Sequence, residues 1–136
     1  MKIEGGCHCG SIEYEAEVDP AGSRVCHCTD CQTIGGSAFR QVVPTLPGSF
    51  TVTKGEPKIY IKVAESGNRR VQAFCGDCGT HIYASNVGDG PKIYNIRTGT
   101  SRQRTELAPQ FHIWHRSAQP WVVDMDSLRK YEKSDT

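Results

Sequence analysis

Three cysteines fall within six residues, Cys26-His27-Cys28-Thr29-Asp30-Cys31, and this run constrains the chain more than any other. Side chains at i and i+2 of an extended segment share a face. Cys26 and Cys28 therefore point the same way, about 7 Å apart along the strand. Cys31 follows two turn-prone residues and is near enough to swing back. Three soft sulfurs at one point suit a borderline-soft cation such as Zn²⁺. Three protein ligands, not four, are what a catalytic zinc uses when it keeps one position open.

The chain holds seven cysteines, at positions 7, 9, 26, 28, 31, 75 and 78. An odd, clustered set is a poor disulfide framework and a good metal set. It divides into a closed group of four and an open group of three. Cys75-Gly76-Asp77-Cys78-Gly79 reads as a zinc knuckle, in which the glycine lets a tight turn take positive φ and aim amides at the sulfurs. It supplies two ligands and needs a second pair. Cys7 and Cys9 are the best available, because using them leaves the trio whole; spacing alone leaves a rival set of Cys7, Cys9, Cys26 and Cys28 open. For the trio, the favoured reading is an open position taken by water or a thiol. A histidine as fourth ligand is the alternative, with His81, His112 and His115 free to serve, while His8 and His27 should point away from their cysteine neighbours.

Length and charge exclude several classes. At 136 residues, the expectation is one domain spanning 1–136 with a core of ordinary size. Charge is nearly balanced at +1, and no basic stripe supports a nucleic-acid partner. No apolar run approaches the ~18 residues of a membrane span, so no membrane partner is expected. Met1 to Gly6 lacks the apolar core of a signal peptide, and a cytoplasmic location with reduced thiols is the expectation. The oligomeric state stays open, a homo-oligomer included.

Short strands dominate the remainder. Residues 11–18 alternate apolar and acidic, the period of a half-buried strand. Further strands are expected at 38–43, 49–53, 58–63, 69–74, 80–85, 93–98 and 110–115, with Asp89-Gly90 as a hairpin turn. Thr33 to Ser37 reads as a small, flexible wall or lid. One or two helical turns are expected at 126–131, capped by Asp126. Strands at this spacing predict an all-β sandwich or open barrel of short antiparallel strands with little helix.

A zinc held by three thiolates is a weak activator of water but well suited to bind a further thiol and keep it as the nucleophilic thiolate. The chemistry expected is therefore at the sulfur of a small thiol: addition to an aldehyde, or carbon–sulfur cleavage in reverse. Proton transfer beside the metal would fall to His27 and Asp30, which serve equally well as turn residues. Phe39, Trp114 and Trp121 are expected in the core.

Gly5-Gly6-Cys7-His8-Cys9-Gly10-Ser11-Ile12, then Cys26 to Cys31 with Gly36-Ser37-Ala38-Phe39, then Phe74-Cys75-Gly76-Asp77-Cys78-Gly79-Thr80 closely resemble the glutathione-dependent formaldehyde-activating enzyme family, to which centromere protein V also belongs. The tail from Pro109 to Trp121 resembles it as well, so the likeness covers nearly the whole chain. The resemblance implies an Mss4-like, zinc-stapled β fold. It implies a structural zinc on Cys7, Cys9, Cys75 and Cys78 and a second, catalytic zinc on Cys26, Cys28 and Cys31, so two Zn²⁺ per chain with the second labile. It also implies a carbon–sulfur lyase-type reaction of glutathione with formaldehyde. Glutathione would need cations for its carboxylates. Arg40, Arg69, Arg70 and Arg97 are candidates, with solvated strand-face charges the default reading of each. A non-catalytic zinc-ribbon module that binds a protein is the competing class. A B-type methionine sulfoxide reductase is disfavoured, since no cysteine follows Cys78 to act as a non-ligand nucleophile.

Overall fold

The computed structural model describes residues 1–135. Among the described residues, ten strands form two open sheets. β1 (Lys2–Gly6), β2 (Glu13–Glu17) and β5 (Thr51–Lys54) make an antiparallel three-stranded sheet in the order β1-β2-β5. The larger sheet uses β3 (Arg24–Cys26), β4 (Arg40–Pro44), β6 (Lys58–Val63), β7 (Arg69–Phe74), β8 (His81–Asn86), β9 (Asn95–Arg97) and β10 (Phe111–Ile113), in the order β10-β3-β4-β9-β8-β7-β6. The mostly-β expectation holds.

Period-2 alternation sorts the residues of these strands between two faces. Val43 on β4 and Ile96 on β9 are cross-strand partners and fully buried. They join Ile3, Tyr14 and Ala16 of the small sheet, with Ile12, Val18, Ile82 and Leu107, in one apolar core. Burying each isoleucine, valine and leucine among them stabilises the fold by about 1.5–3 kcal/mol. Cys7 and Cys75 belong to the same cluster, so the first cysteine group abuts the core. The other face of the large sheet carries the alternate residues Arg24, Cys26, Arg40, Val42 and Arg97. Pairing sets Arg24 against Val42, Cys26 against Arg40, and Val42 against Arg97.

Gly5 and Gly6 are required by close approach. A Cβ on Gly5 would stand 2.1 Å from the Thr100 carbonyl oxygen and 2.6 Å from the Tyr14 hydroxyl; one on Gly6 would stand 2.3 Å from the Ile12 carbonyl oxygen.

Four expectations are corrected. The lid at Thr33 to Ser37 is largely helix: α1 spans Thr29–Gly35, closed by Gly36 at φ 65°. The Cys28 sulfur caps it, in a position where serine, threonine, aspartate and asparagine are the usual signals. The strands are not all antiparallel, because β10 pairs with β3 in parallel, Ile113 opposite Cys26. The turns expected at 126–131 form instead as a 3-10 segment at Pro120–Ser127, and Asp126 is no cap, because proline at the start sets φ for a turn there. The hairpin turn at Asp89-Gly90 is part of a longer connection between Asn86 and Asn95.

Candidate metal centres

Two cysteine groups emerge, the first from elements far apart in sequence. In the first, β1 delivers Cys7 into a tight turn. The Cys7 N–H donates to the Ile12 carbonyl at 3.1 Å, and the Ile12 N–H donates to Cys7 Sγ at 3.2 Å. The tip of the β7–β8 hairpin delivers the knuckle. There the Asp77 and Cys78 N–H groups point at Cys75 Sγ at 3.4 and 3.5 Å, and Gly79 takes φ 78°. The four sulfurs of Cys7, Cys9, Cys75 and Cys78 lie within 4.8 Å of one another. Cys7 and Cys9 are 3.6 Å apart, and Cys9 and Cys75 3.8 Å. Four sulfurs at about 2.3 Å from a tetrahedral Zn²⁺ are separated by about 3.8 Å, so this donor set fits zinc. The Thr80 hydroxyl, 3.2 Å from Cys78 Sγ, pulls that thiol down to about 5. The rival set with Cys26 and Cys28 does not form.

The second group sits on one local segment. Cys26 ends β3, Cys28 is the cap of α1, and Cys31 lies in its first turn, its N–H donating to Cys28 Sγ at 3.2 Å. The three sulfurs again lie within 4.8 Å of one another, and no histidine nitrogen among the described residues joins either group. Hydrogen bonds from the Cys26 and Cys31 thiols hold Cys28 down to about 2, and the Lys62 charge adds to this. The Cys26 thiol, then the Cys28 thiol and burial push Cys31 up, and the Cys28 thiol with burial pushes Cys26 up. Three converging thiols are a donor set for a soft cation.

The trio lines a cleft of about 300 Å³. Five basic side chains also line it: Arg24, Arg40, Lys62, Arg70 and Arg97. Arg40 and Arg97 are buried, against the default reading of solvated charges, because their alternating positions face the cleft instead of bulk water. Burial, then Arg40, brings Arg97 down to about 9. Arg69 is exposed and lies outside this cleft. Lys62 pairs with Asp30 at 3.2 Å.

His27 does not face the trio's cleft. It is buried, stacked on His112 with its Nε2 2.8 Å from His112 Nδ1 and with His115 edge-on to it, and lines a second cavity with Phe39. That removes it from proton transfer in the first cleft. Phe39 is only half-buried. Trp114 and Trp121 are 39% and 53% exposed, not core. Trp114 lines the trio's cleft with φ 53°, a left-handed conformation costly for a bulky residue and typical of functional sites. Sequence reasoning missed Arg24, Lys62, Gln72 and Trp114 as cleft residues. Arg24 was within reach of it, since it precedes Cys26 by two on the same strand face.

Residues 2–117 match the profile of the family described as glutathione-dependent formaldehyde-activating enzyme. Among solved structures, the chain resembles the crystal structure of a Rhodobacter sphaeroides protein, with a TM-score of 0.61 and 19% sequence identity, over 81% of this chain and 99% of that one. That likeness concerns the fold alone. No curated protein matches the chain.

Proposed function

The chain belongs to the glutathione-dependent formaldehyde-activating enzyme family, and on that premise we propose that it is a zinc-dependent carbon–sulfur lyase-type enzyme joining a small thiol to an aldehyde. The carrying observation is that Cys26, Cys28 and Cys31 converge at the wall of a cleft lined by five cationic side chains and, among the described residues, no carboxylate. In this reading the whole chain works as one zinc-binding domain in the cytoplasm. Cys7, Cys9, Cys75 and Cys78 hold a structural zinc, and Cys26, Cys28 and Cys31 hold the catalytic one. A zinc ion on the trio supplies the Lewis acidity that keeps a substrate thiol deprotonated at neutral pH.

The protein's own residues do the rest. The Cys31 N–H and the Lys62 ammonium stabilise negative charge at Cys28. The cationic lining attracts an anionic thiol such as glutathione, whose carboxylates are met by guanidinium forks. Trp114 and Ile113 give the cleft an apolar border that limits water.

The test is the rate at which glutathione and formaldehyde exchange with S-hydroxymethylglutathione, read by NMR exchange spectroscopy. Zinc-loaded wild type should accelerate it, and Cys28→Ser should return it to the uncatalysed rate. No acceleration by the zinc-loaded protein would contradict this reading.

A further inference from the structure

Two of the most buried charges have no carboxylate partner among the described residues. Arg40 and Arg97 are each 8% exposed and line the cleft. The ion pairs among the described residues are Lys62–Asp30, Arg102–Glu4, Arg116–Glu65 and Lys130–Asp126, so no carboxylate answers either arginine. The two guanidinium groups share one acceptor instead. Gln72 Oε1 takes a hydrogen bond from Arg97 Nη2 at 2.8 Å and from Arg40 Nη1 at 3.3 Å. This holds two like charges side by side. Arg40 Nη2 and Arg97 Nε are buried without a partner, as is Arg24 Nε nearby in the same cleft. Buried, unpaired guanidinium donors are costly, and a bound anion supplies what they lack.

The position of the pair narrows the anion. Arg40 is the cross-strand neighbour of Cys26, and the thiols of Cys31, Cys28 and Cys26 all act on its charge. Cys31 and Cys26 act on Arg97. The pair therefore stands beside the trio. Both carboxylates of glutathione are many bonds from its sulfur, so a thiol of that shape carries them past cations that stand beside the trio. A carboxylate that meets Arg40 and Arg97 is attached at, or next to, the reacting atom.

We propose that Arg40 and Arg97, bridged by Gln72, form a carboxylate subsite beside the three cysteines, so that one reactant carries its carboxylate next to its reacting centre. This deepens the thiol–aldehyde reading and rests on it for the chemistry. The carboxylate has two sources: an oxo acid as the carbonyl partner, or a short mercapto acid as the thiol. With an oxo acid, the thiol sulfur bonds to the carbonyl carbon and the carbon–oxygen π pair moves onto oxygen. The proton given up by the thiol ends on that oxygen, and nothing is oxidised or reduced. The product is a hemithioacetal bearing a carboxylate.

The test is isothermal titration calorimetry on the zinc-loaded protein with two matched pairs of probes: glyoxylate against glycolaldehyde, and mercaptoacetate against 2-mercaptoethanol. At least one carboxylate should bind about tenfold or more tighter than its neutral counterpart. Preference for glyoxylate assigns the subsite to the carbonyl partner; preference for mercaptoacetate assigns it to the thiol. Arg97→Gln should abolish the preference. Arg40→Lys, which keeps the charge but loses the fork, should weaken it and serves if Arg97→Gln fails to fold. The proposal is overturned if neither carboxylate is preferred by wild type, or if a folded variant keeps the full preference. Because the readout is binding and not turnover, it is independent of the exchange assay, so either claim can fail alone.

Discussion

Cys28 is at once the sulfur on which the trio's hydrogen bonds converge and the cap of α1. Serine is itself a good helix cap, so Cys28→Ser removes a metal ligand while keeping the local fold. Its thermal stability should stay within about 1 kcal/mol of wild type by calorimetry, with the trio's metal lost. Tyr14 makes a contrasting case. Burial pushes its phenol up to about 12, partly offset by the Thr100 hydroxyl 2.8 Å away. The unfolded phenol titrates near 10. Between these values the native chain binds the extra proton, so the burial of Tyr14 contributes stability fully below pH 10 and loses it as pH rises toward 12. The loss is at most about 3 kcal/mol. Thermal unfolding of wild type should fall more steeply above pH 10 than that of Tyr14→Phe, and equal slopes would contradict the assignment.

At the scale of elements, the link from β3 to α1 is the part that sequence reading handled worst. The cysteine spacing announced that three sulfurs meet, and they do. The helix that carries Cys31 was hidden because its cap is a sulfur, which is not a usual cap signal, and because Thr33, Ile34 and Gly35 are weak helix formers. Gly36 ends it in the left-handed region, with open space where a Cβ would go. Gly36→Ala should therefore cost about 1 kcal/mol through backbone strain alone, measurable as a lowered midpoint in urea with an unchanged slope. The parallel pairing of β10 with β3 was equally invisible, because a strand's partner is set by tertiary contacts that no local pattern carries. The same ignorance of pairing hid Lys62 and Gln72, which reach the cleft from β6 and β7, and left Arg40 and Arg97 looking like surface charges.

For the whole molecule, the two cysteine groups differ in what they tie together. Cys7 and Cys9 follow a strand of the small sheet, while Cys75 and Cys78 sit at a hairpin of the large one. A metal there staples one sheet to the other. Structural zinc contributes about 10–16 kcal/mol of binding free energy in small domains, against a typical folding stability of about 5–15 kcal/mol. Cys75→Ser should therefore abolish cooperative unfolding, seen by circular dichroism. The trio spans six residues and closes no long loop, so its metal adds little to the fold and is free to serve a ligand in the cleft.

Zinc content per chain, measured by atomic spectroscopy on wild type and Cys28→Ser with and without glutathione, tests this division most directly. The account predicts two zincs in wild type and one in a folded Cys28→Ser, with glutathione perturbing only the ion that the variant lacks. Loss of both zincs or of the fold in Cys28→Ser, or two zincs indifferent to glutathione, would make the trio structural and contradict the account.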